Sequence, residues 1–366
     1  MEIVQNDFHE ITAIFGGKDQ TLALLNSKDV LGWGGAGSGR RTPPNQDICS
    51  NKRPNTGAVY VGGLSHFSNV SAGDGISLGV TDGQPCIWGF CQLGIGGQDT
   101  FTEAPTPIKG LSNITKVAAG QFIFAAINQA GGVYTWGLNV DCALGRVSAQ
   151  NNAPPDLVTE LPPVKDIALG DHFMLALTDD QRVYGWGSNS AGQLGLGNLN
   201  TVNTPQPIEF SVSINHIAVG STHALAVSSS GEVYGWGSNN FGQSGNSARP
   251  YIDRPKRIAF PEKITAVAAG MHYSLALSSS GKVYAWGWNG FGQLGLGDLK
   301  SRTNPTVIPS LNGVRAIAAG EMHALALGKR QLLGVGEQCI RPIGRSSCKA
   351  NNPEPFLSCC LGAYVN

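Results

Sequence analysis

Three observations predict an all-β fold, a seven-bladed β-propeller with about four antiparallel strands in each blade. A glycine-centred unit recurs seven times, its segments read as short strands joined by polar turns, and 50 of the 366 residues are glycine. The chain also has the material for a core, because 41% of its residues are hydrophobic. Glycine-rich chains that still bury a core are typical of β-proteins with many turns.

One glycine anchors each copy of the unit. The anchors are Gly17, Gly73, Gly120, Gly170, Gly220, Gly270 and Gly320. Successive steps between them are 56, 47, 50, 50, 50 and 50 residues. A regular period near 50 residues indicates a repeat architecture, in which each unit packs on its neighbours.

Within each unit the pattern favours β-hairpins. In the unit at 219–237, HALAV alternates, SSSG is a polar turn, and EVYGWG is rich in β-branched and aromatic residues. Such segments predict antiparallel strands. Closing seven blades into a ring removes the exposed edges of an open array, so we expect residues 1–366 to form one domain.

The chain ends predict how the ring closes. Proline-led segments such as TPQPIEF at 204–210 precede the full units, and the first unit lacks an obvious copy. The C-terminal segment NPEPFLSCC spans 352–360. We expect a latch strand at about 352–360 that joins the first blade.

Recurrent tryptophans and glycines fit structural roles. One position holds Trp33, Trp88, Trp136, Trp186, Trp236, Trp286 and Val335, which is typical of packing between blades. The run GQLGLG occurs at 192–197 and at 292–297. It introduces no helix, so we interpret its glycines as turn residues with positive φ and not as a phosphate loop. Trp288 lies outside the series, either exposed or packed in its loop.

The loops after the anchors carry the candidate binding residues. These are Asp19, Asp74, Asp171, His172, His223, His272, Tyr273, Glu321 and His323. Acidic and aromatic residues on one face suit an interface with a basic protein partner. The histidines have a structural alternative, hydrogen bonds to turns of their own blade. Equivalent loops of successive blades are too far apart for a zinc site, and no catalytic residue is expected.

The pattern V-x-x-G-x-x-H-x-L-A-L, then G-x-V-Y-x-W-G-x-N-x-x-G-Q-L-G, resembles the regulator of chromosome condensation repeat. Residues 219–245 are close to its consensus, and the resemblance spans about 11–360. It implies a seven-bladed propeller and, from the family's founding member, guanine nucleotide exchange on the small GTPase Ran. The predicted partner is a small GTPase, Ran first and other Ras-superfamily members next. By position Asp74, Asp171, Glu321, His223 and His323 match the family's site.

Departures from that family keep a second function open, a non-catalytic interaction scaffold without exchange activity. The step from tryptophan to the turn glycine is nine residues in each of blades three to six, which leaves no room there for the exchange factor's extended β-wedge. The basic nuclear-targeting tail of the family's chromatin-bound member is not seen in this sequence either. An insertion at 35–57 carries Arg40, Arg41 and Arg53, and it is either an accessory contact loop or a plain solvated loop.

Charge and hydropathy exclude other classes. Twenty-five basic and 25 acidic residues give no net charge, which argues against direct nucleic-acid binding by bulk electrostatics. No stretch approaches the 18 apolar residues of a membrane span. We expect a monomer without cofactor or metal, located in the cytosol or, as the alternative, in the nucleus, although no targeting tail is seen. A bare propeller also resembles bacterial effectors, in which case the GTPase and the cytosol are those of the host.

Overall fold

The computed structural model describes residues 11–34, 55–89, 102–148, 150–245, 249–329 and 332–336. These residues form seven antiparallel sheets arranged as the blades of a propeller, which confirms the predicted fold class. A short 3-10 helix at Val140–Cys142 interrupts the β-structure. In the described ranges, no helix is long and apolar enough to cross a membrane.

The blades follow one another along the chain, and the strands pair in chain order within each blade. The first blade contains β1 (Ile11–Gly16), β2 (Gln20–Leu25), β3 (Val30–Gly34) and β4 (Asn55–Tyr60). The second contains β5 (Phe67–Ala72), β6 (Ile76–Thr81), β7 (Gln84–Gly89) and β8 (Thr102–Pro107). The third contains β9 (Ile114–Ala119), β10 (Ile123–Asn128), β11 (Val133–Leu138) and β12 (Asn152–Leu157).

The remaining blades repeat this plan. The fourth contains β13 (Val164–Leu169), β14 (Phe173–Thr178), β15 (Val183–Gly187) and β16 (Val202–Ile208). The fifth contains β17 (Ile214–Val219), β18 (His223–Ser228), β19 (Val233–Ser238) and β20 (Tyr251–Ile258). The sixth contains β21 (Ile264–Ala269), β22 (Tyr273–Ser278), β23 (Val283–Gly287) and β24 (Arg302–Val307). Three strands of the seventh are described, β25 (Ala316–Ala319), β26 (His323–Leu327) and β27 (Leu332–Gly336).

The burial of a strand depends on its position in the blade. First strands of neighbouring blades pack on one another around the centre of the ring. The second strand is buried along its whole length in the fifth blade, because it has a strand on each side and a blade on each face. The proline-led segments form the fourth strands, as in β16, where a missing amide donor on the outer edge costs little.

The ring closes where the seventh blade packs on the first. One hydrophobic cluster joins them and includes Ile11, Ile14, Leu325 and Leu327. The predicted latch strand at about 352–360 lies outside the described residues. Its assignment to the first blade therefore stays a prediction. Among the described residues the first blade has four strands, β1 to β4, and the seventh has three.

Tryptophans join successive blades, as predicted. Trp186, Trp236 and Trp286 are fully buried. Each indole N–H donates to a backbone carbonyl of the preceding blade, at 2.9 Å for Trp186 to Ala143, 2.9 Å for Trp236 to Gln193 and 2.8 Å for Trp286 to Gln243. These three indoles therefore tie blades four, five and six to the blade before each of them, through packing and one hydrogen bond.

The two GQLGLG runs are turns, which confirms the interpretation of their glycines. Gly192, Gly195 and Gly197 have φ of 75°, 68° and 78°, and their counterparts at 292, 295 and 297 have nearly the same angles. Side chains rarely adopt such φ values, so glycine is required. No helix follows either run, and the repeated glycines shape the loop between the third and fourth strands.

Candidate protein-binding face

The loops that carry the candidate binding residues lie at one end of the blades. Since the strands alternate in direction, the turn between the first and second strands and the loop between the third and fourth share an end. We call this end the upper face. The turn between the second and third strands lies at the opposite end.

A ring of seven residues, each directly after an anchor glycine, lies on the upper face near the centre. This post-glycine ring consists of Lys18, Asp74, Gln121, Asp171, Ser221, Met271 and Glu321. Backbone hydrogen bonds connect neighbouring turns, with Glu321 N–H donating to Gly17 at 3.2 Å and Met271 N–H donating to Glu321 at 2.9 Å. The ring is thus held by the same contacts that join the blades.

The anchor glycines make these turns possible by close backbone approach. A Cβ on Gly220 would clash with the carbonyl oxygen of Gly270 and with the ring of His223. The same holds around the ring, where Gly17 faces the carbonyl of Gly73 and Gly73 faces that of Gly120. A side chain at any of these three anchors would clash with the neighbouring blade, so these positions require glycine.

The post-glycine ring brings acidic side chains together around one lysine. Lys18 Nζ lies 3.0 Å from Asp74 Oδ2 and 3.9 Å from Glu321 Oε2. Gln121 donates to the same oxygen of Asp74 at 3.3 Å. The hydrogen bond to Asp74 raises the pKa of Lys18, so the lysine stays charged.

The charge on Glu321 is influenced by the other acids of this face. Burial raises its pKa, Lys18 acts in the opposite direction, and the charges of Asp74, Asp171 and Asp19 raise it further. The structure therefore brings the four acids predicted for this face into one electrostatic group. Lys18 was not among the predicted residues. Its position after the first anchor is visible in the sequence, but its pairing with two other blades is not.

His223 and His323 lie elsewhere than predicted. Both are buried, with exposed fractions of 0% and 2%. His223 Nε2 forms a 2.9 Å hydrogen bond with Ser274 Oγ of the sixth blade. His323 Nε2 forms a 3.1 Å hydrogen bond with Thr21 Oγ1 of the first. Both side chains are buried, so the prediction that they contact a partner is wrong. Their hydrogen bonds reach a neighbouring blade, so the alternative of bonds within their own blade is also wrong.

Tyr273 requires the same correction. It is 0% exposed, and its hydroxyl donates to the carbonyl oxygens of Gly320, at 3.1 Å, and of His323 in the next blade. Tyr273 is buried because of its place in the repeat. The third residue after an anchor glycine begins the second strand, and its side chain packs between two blades. The sequence held a signal for this, since the equivalent residues Ile76 and Ile123 are apolar.

Burial fixes the protonation state of these joint residues. Desolvation lowers the pKa of His223 to about 3 and that of His323 to about 4. It raises the pKa of Tyr273 well above its usual value. All three are neutral near pH 7, as residues that join blades should be.

His172 and His272 occupy the second position after their anchors and are half-buried in the turns of the upper face. The ring of His272 lies 5.4 Å from that of Phe241 and 6.4 Å from that of Trp288, between centroids. Burial lowers the pKa of His272, while the charge of Asp171 raises it. Trp288 is itself half-buried and packs against Phe291 at 5.3 Å, so it is partly exposed and also packed in its loop.

Other ligands find less support in the geometry. Within the described ranges, no group of three or more histidine, cysteine, aspartate or glutamate residues is arranged to hold a metal ion. Arg40, Arg41 and Arg53 of the predicted accessory loop lie outside the described residues. The upper face thus offers a charged and aromatic surface.

Comparison with known sequences identifies a family. The sequence profile described as RCC1-like domain matches residues 91–359, which is more than half of the chain. Comparison with curated protein sequences finds no match.

Solved structures show the same fold. Yeast RCC1 (Prp20) bound to Kap60 has 24% identity over 89% of this chain and 80% of that chain, with a TM-score of 0.76. Prp20p from Saccharomyces cerevisiae, described with its binding properties to Gsp1p and histones, has 23% identity over 89% and 83%, with a TM-score of 0.75. Human WBSCR16 has 22% identity over 90% and 94%, with a TM-score of 0.76. At these identities the likeness supports the fold alone.

Proposed function

Because the chain belongs to the family of RCC1-like domains, we propose that it binds a small GTPase through its upper face and promotes guanine nucleotide exchange. The observation that carries this proposal is the group of Asp19, Asp74, Asp171 and Glu321 around the single Lys18. A face with excess negative charge steers and orients a basic partner surface.

Two likenesses support the choice of partner. The repeats resemble those of the Ran exchange factor, and Prp20p, which shares the fold, is described with its binding to Gsp1p. Ran is therefore the first candidate and other Ras-superfamily members are the next. We place its action in the cytosol, and the same chemistry serves an effector that meets a host GTPase.

The mechanism is displacement without bond making. GTPases hold their nucleotide with a phosphate-binding lysine and a magnesium ion. Carboxylates of the post-glycine ring that pair with basic groups near this site compete with the phosphates for them. An exchange factor accelerates release when it binds the nucleotide-free GTPase more tightly than the loaded form.

One observation favours the second candidate, an interaction scaffold without exchange activity. The loops between the third and fourth strands of blades four and six are compact turns, at 188–201 and 288–301, without an added hairpin. An extended wedge that presses on the GTPase is thus absent from these two loops. In the scaffold the same acidic face binds its partner and leaves the nucleotide in place.

Release of fluorescent GDP from a panel of purified GTPases tests the proposal. We expect acceleration for at least one GTPase, and loss of that acceleration in the D74N/D171N/E321Q variant. D179N is a matched control, since Asp179 is an exposed acid at the opposite end of the fourth blade. Binding without acceleration would identify the scaffold, and no binding to any GTPase would refute both.

A further inference from the structure

Four aromatic side chains from blades five and six form a cluster on the upper face. This aromatic cluster consists of Phe241, His272, Trp288 and Phe291. Ring centroids of Phe241 and Trp288 are 6.1 Å apart, and Phe241 remains 36% exposed. The cluster lies at the same end of the blades as the post-glycine ring.

Trp288 occupies a position that varies among the blades. The equivalent residues are Leu138 in blade three, Ser188 in blade four and Ser238 in blade five. The backbone N–H groups of Ser188, Ser238 and Trp288 make the same hydrogen bond. Each donates at 2.8 Å to the carbonyl of the second residue after the anchor glycine of its blade, which is His172, Thr222 or His272. A serine can therefore occupy this position with the same backbone hydrogen bond, and the indole of Trp288 adds aromatic surface to the upper face.

The tryptophan also costs a hydrogen bond. In the fifth blade the buried amide of Gln243 donates to the Ser238 hydroxyl at 3.2 Å. In the sixth blade Gln293 is 0% exposed, and its Nε2 has no partner among the described residues. Leaving a buried donor unpaired is unfavourable, so packing alone does not explain Trp288.

The cluster is held ready for a ligand. A Cβ on Gly290 would clash with the indole of Trp288, so the ring lies directly over the loop backbone. Phe291 supports the indole edge-on at 5.3 Å. A rigid aromatic surface loses little entropy on binding.

The electrostatic surroundings select a cation. The charge of Asp171 acts on His272, and the turn of Met271 is bonded to that of Glu321. Burial lowers the pKa of His272, which keeps its ring neutral and unable to repel a positive group. Aromatic faces attract ammonium and guanidinium groups, and a nearby carboxylate adds to that attraction.

We propose that the aromatic cluster binds a lysine or arginine side chain in an exposed segment of a partner protein. The cation lies against Trp288 and Phe241, on the side open to solvent, within the field of Asp171. This goes beyond the proposed function, since the cluster holds a cationic segment whether or not the partner is a GTPase.

Selection from random dodecapeptides tests this site without a known partner. Peptides are selected on the full chain and counter-selected on W288S, which restores the serine of the neighbouring blades. We expect the surviving peptides to contain lysine or arginine, and to lose at least about tenfold in affinity when that residue becomes citrulline or norleucine. Survivors without a basic residue would overturn the choice of a cation.

Thermal unfolding of W288S shows whether the variant is folded, so that lost binding is not mistaken for lost structure. We expect its melting temperature to equal or exceed that of the wild type, because the new hydroxyl gives the Gln293 amide a partner. F241A, which removes an exposed ring and leaves Trp288 in place, is expected to weaken the same peptides. A folded W288S that retains every selected peptide at wild-type affinity would overturn the site.

Discussion

His323 of the seventh blade and Thr21 of the first are 302 residues apart in the chain, yet Nε2 of the one lies 3.1 Å from Oγ1 of the other in a buried hydrogen bond. Similar polar bonds join the neighbouring blades. His223 bonds Ser274, Tyr273 bonds Gly320, and Gln20 Nε2 donates to the Ile76 carbonyl at 2.6 Å. Four consecutive joints around the ring closure are therefore polar, whereas Ile76, Ile123 and Phe173 fill the equivalent positions of the other three.

Replacing His323 by alanine should destabilise the closed ring. The change removes a bond to Thr21 and leaves space in a buried joint, so we expect a loss of about 2 kcal/mol or more in the free energy of unfolding. Urea unfolding measures it. His323→Gln is the matched control, because Gln20 already serves the equivalent joint of the first blade, and it should recover much of the loss. An alanine variant as stable as the wild type would contradict a role in closure.

The buried histidines should make stability fall on acidification. Their folded pKa values, about 3 for His223 and about 4 for His323, lie below the ordinary value of 6.5. Between these limits the unfolded chain binds more protons, so stability is highest above pH 6.5 and decreases as the pH falls toward 4. Urea unfolding at several pH values measures the slope.

His223→Phe is the matching variant for this slope. Phenylalanine is the residue at the equivalent position of the fourth blade, Phe173. Ser274 keeps a partner after the change, since its hydroxyl donates to the Gln243 carbonyl at 2.8 Å. We expect a shallower pH dependence in this variant. Equal slopes for variant and wild type would show that His223 does not contribute.

Gly220→Ala should be among the more damaging small changes. The new Cβ meets the backbone carbonyl of Gly270, which belongs to the next blade and cannot move alone. We expect a loss of about 2 kcal/mol or more, from overpacking of the joint. Gly313→Ala is the control, with no heavy atom within 4 Å of its Cβ and only the strain of φ 65°. Melting temperatures compare the two, and a milder effect at Gly220 would contradict the packing described.

Charge on the post-glycine ring should govern affinity more than stability. D74N/D171N/E321Q should weaken binding of the cognate GTPase by at least about tenfold and reduce its salt dependence. K18Q, which removes the only cation in this group, should act in the opposite direction. The melting temperature should change little, because partly exposed ion pairs contribute at most about 1 kcal/mol. Titration calorimetry at two salt concentrations measures these effects. Unchanged affinity would show that the interface does not include these carboxylates.

The fold was predictable because its signals are local and repeated seven times. The anchor glycine recurs in all seven blades, the tryptophan in six, and the GQLGLG turn in two, and each reflects a backbone or packing need of the blade. The candidate site was predictable only in part. Asp74, Asp171 and Glu321 directly follow their anchors, and the structure groups them, whereas His223, Tyr273 and His323 lie two residues further on, inside the joints.

The sequence by itself determined the number of blades, the order of strands and the end of the ring that carries the acidic turns. Periodicity suffices for these, because antiparallel strands reverse direction at each turn. Only the tertiary structure decided which turn residues are exposed, that Lys18 lies among the acids, and that Phe241, His272, Trp288 and Phe291 meet. Those outcomes depend on side chains that differ from blade to blade, and contacts that are not repeated leave no periodic trace in the chain.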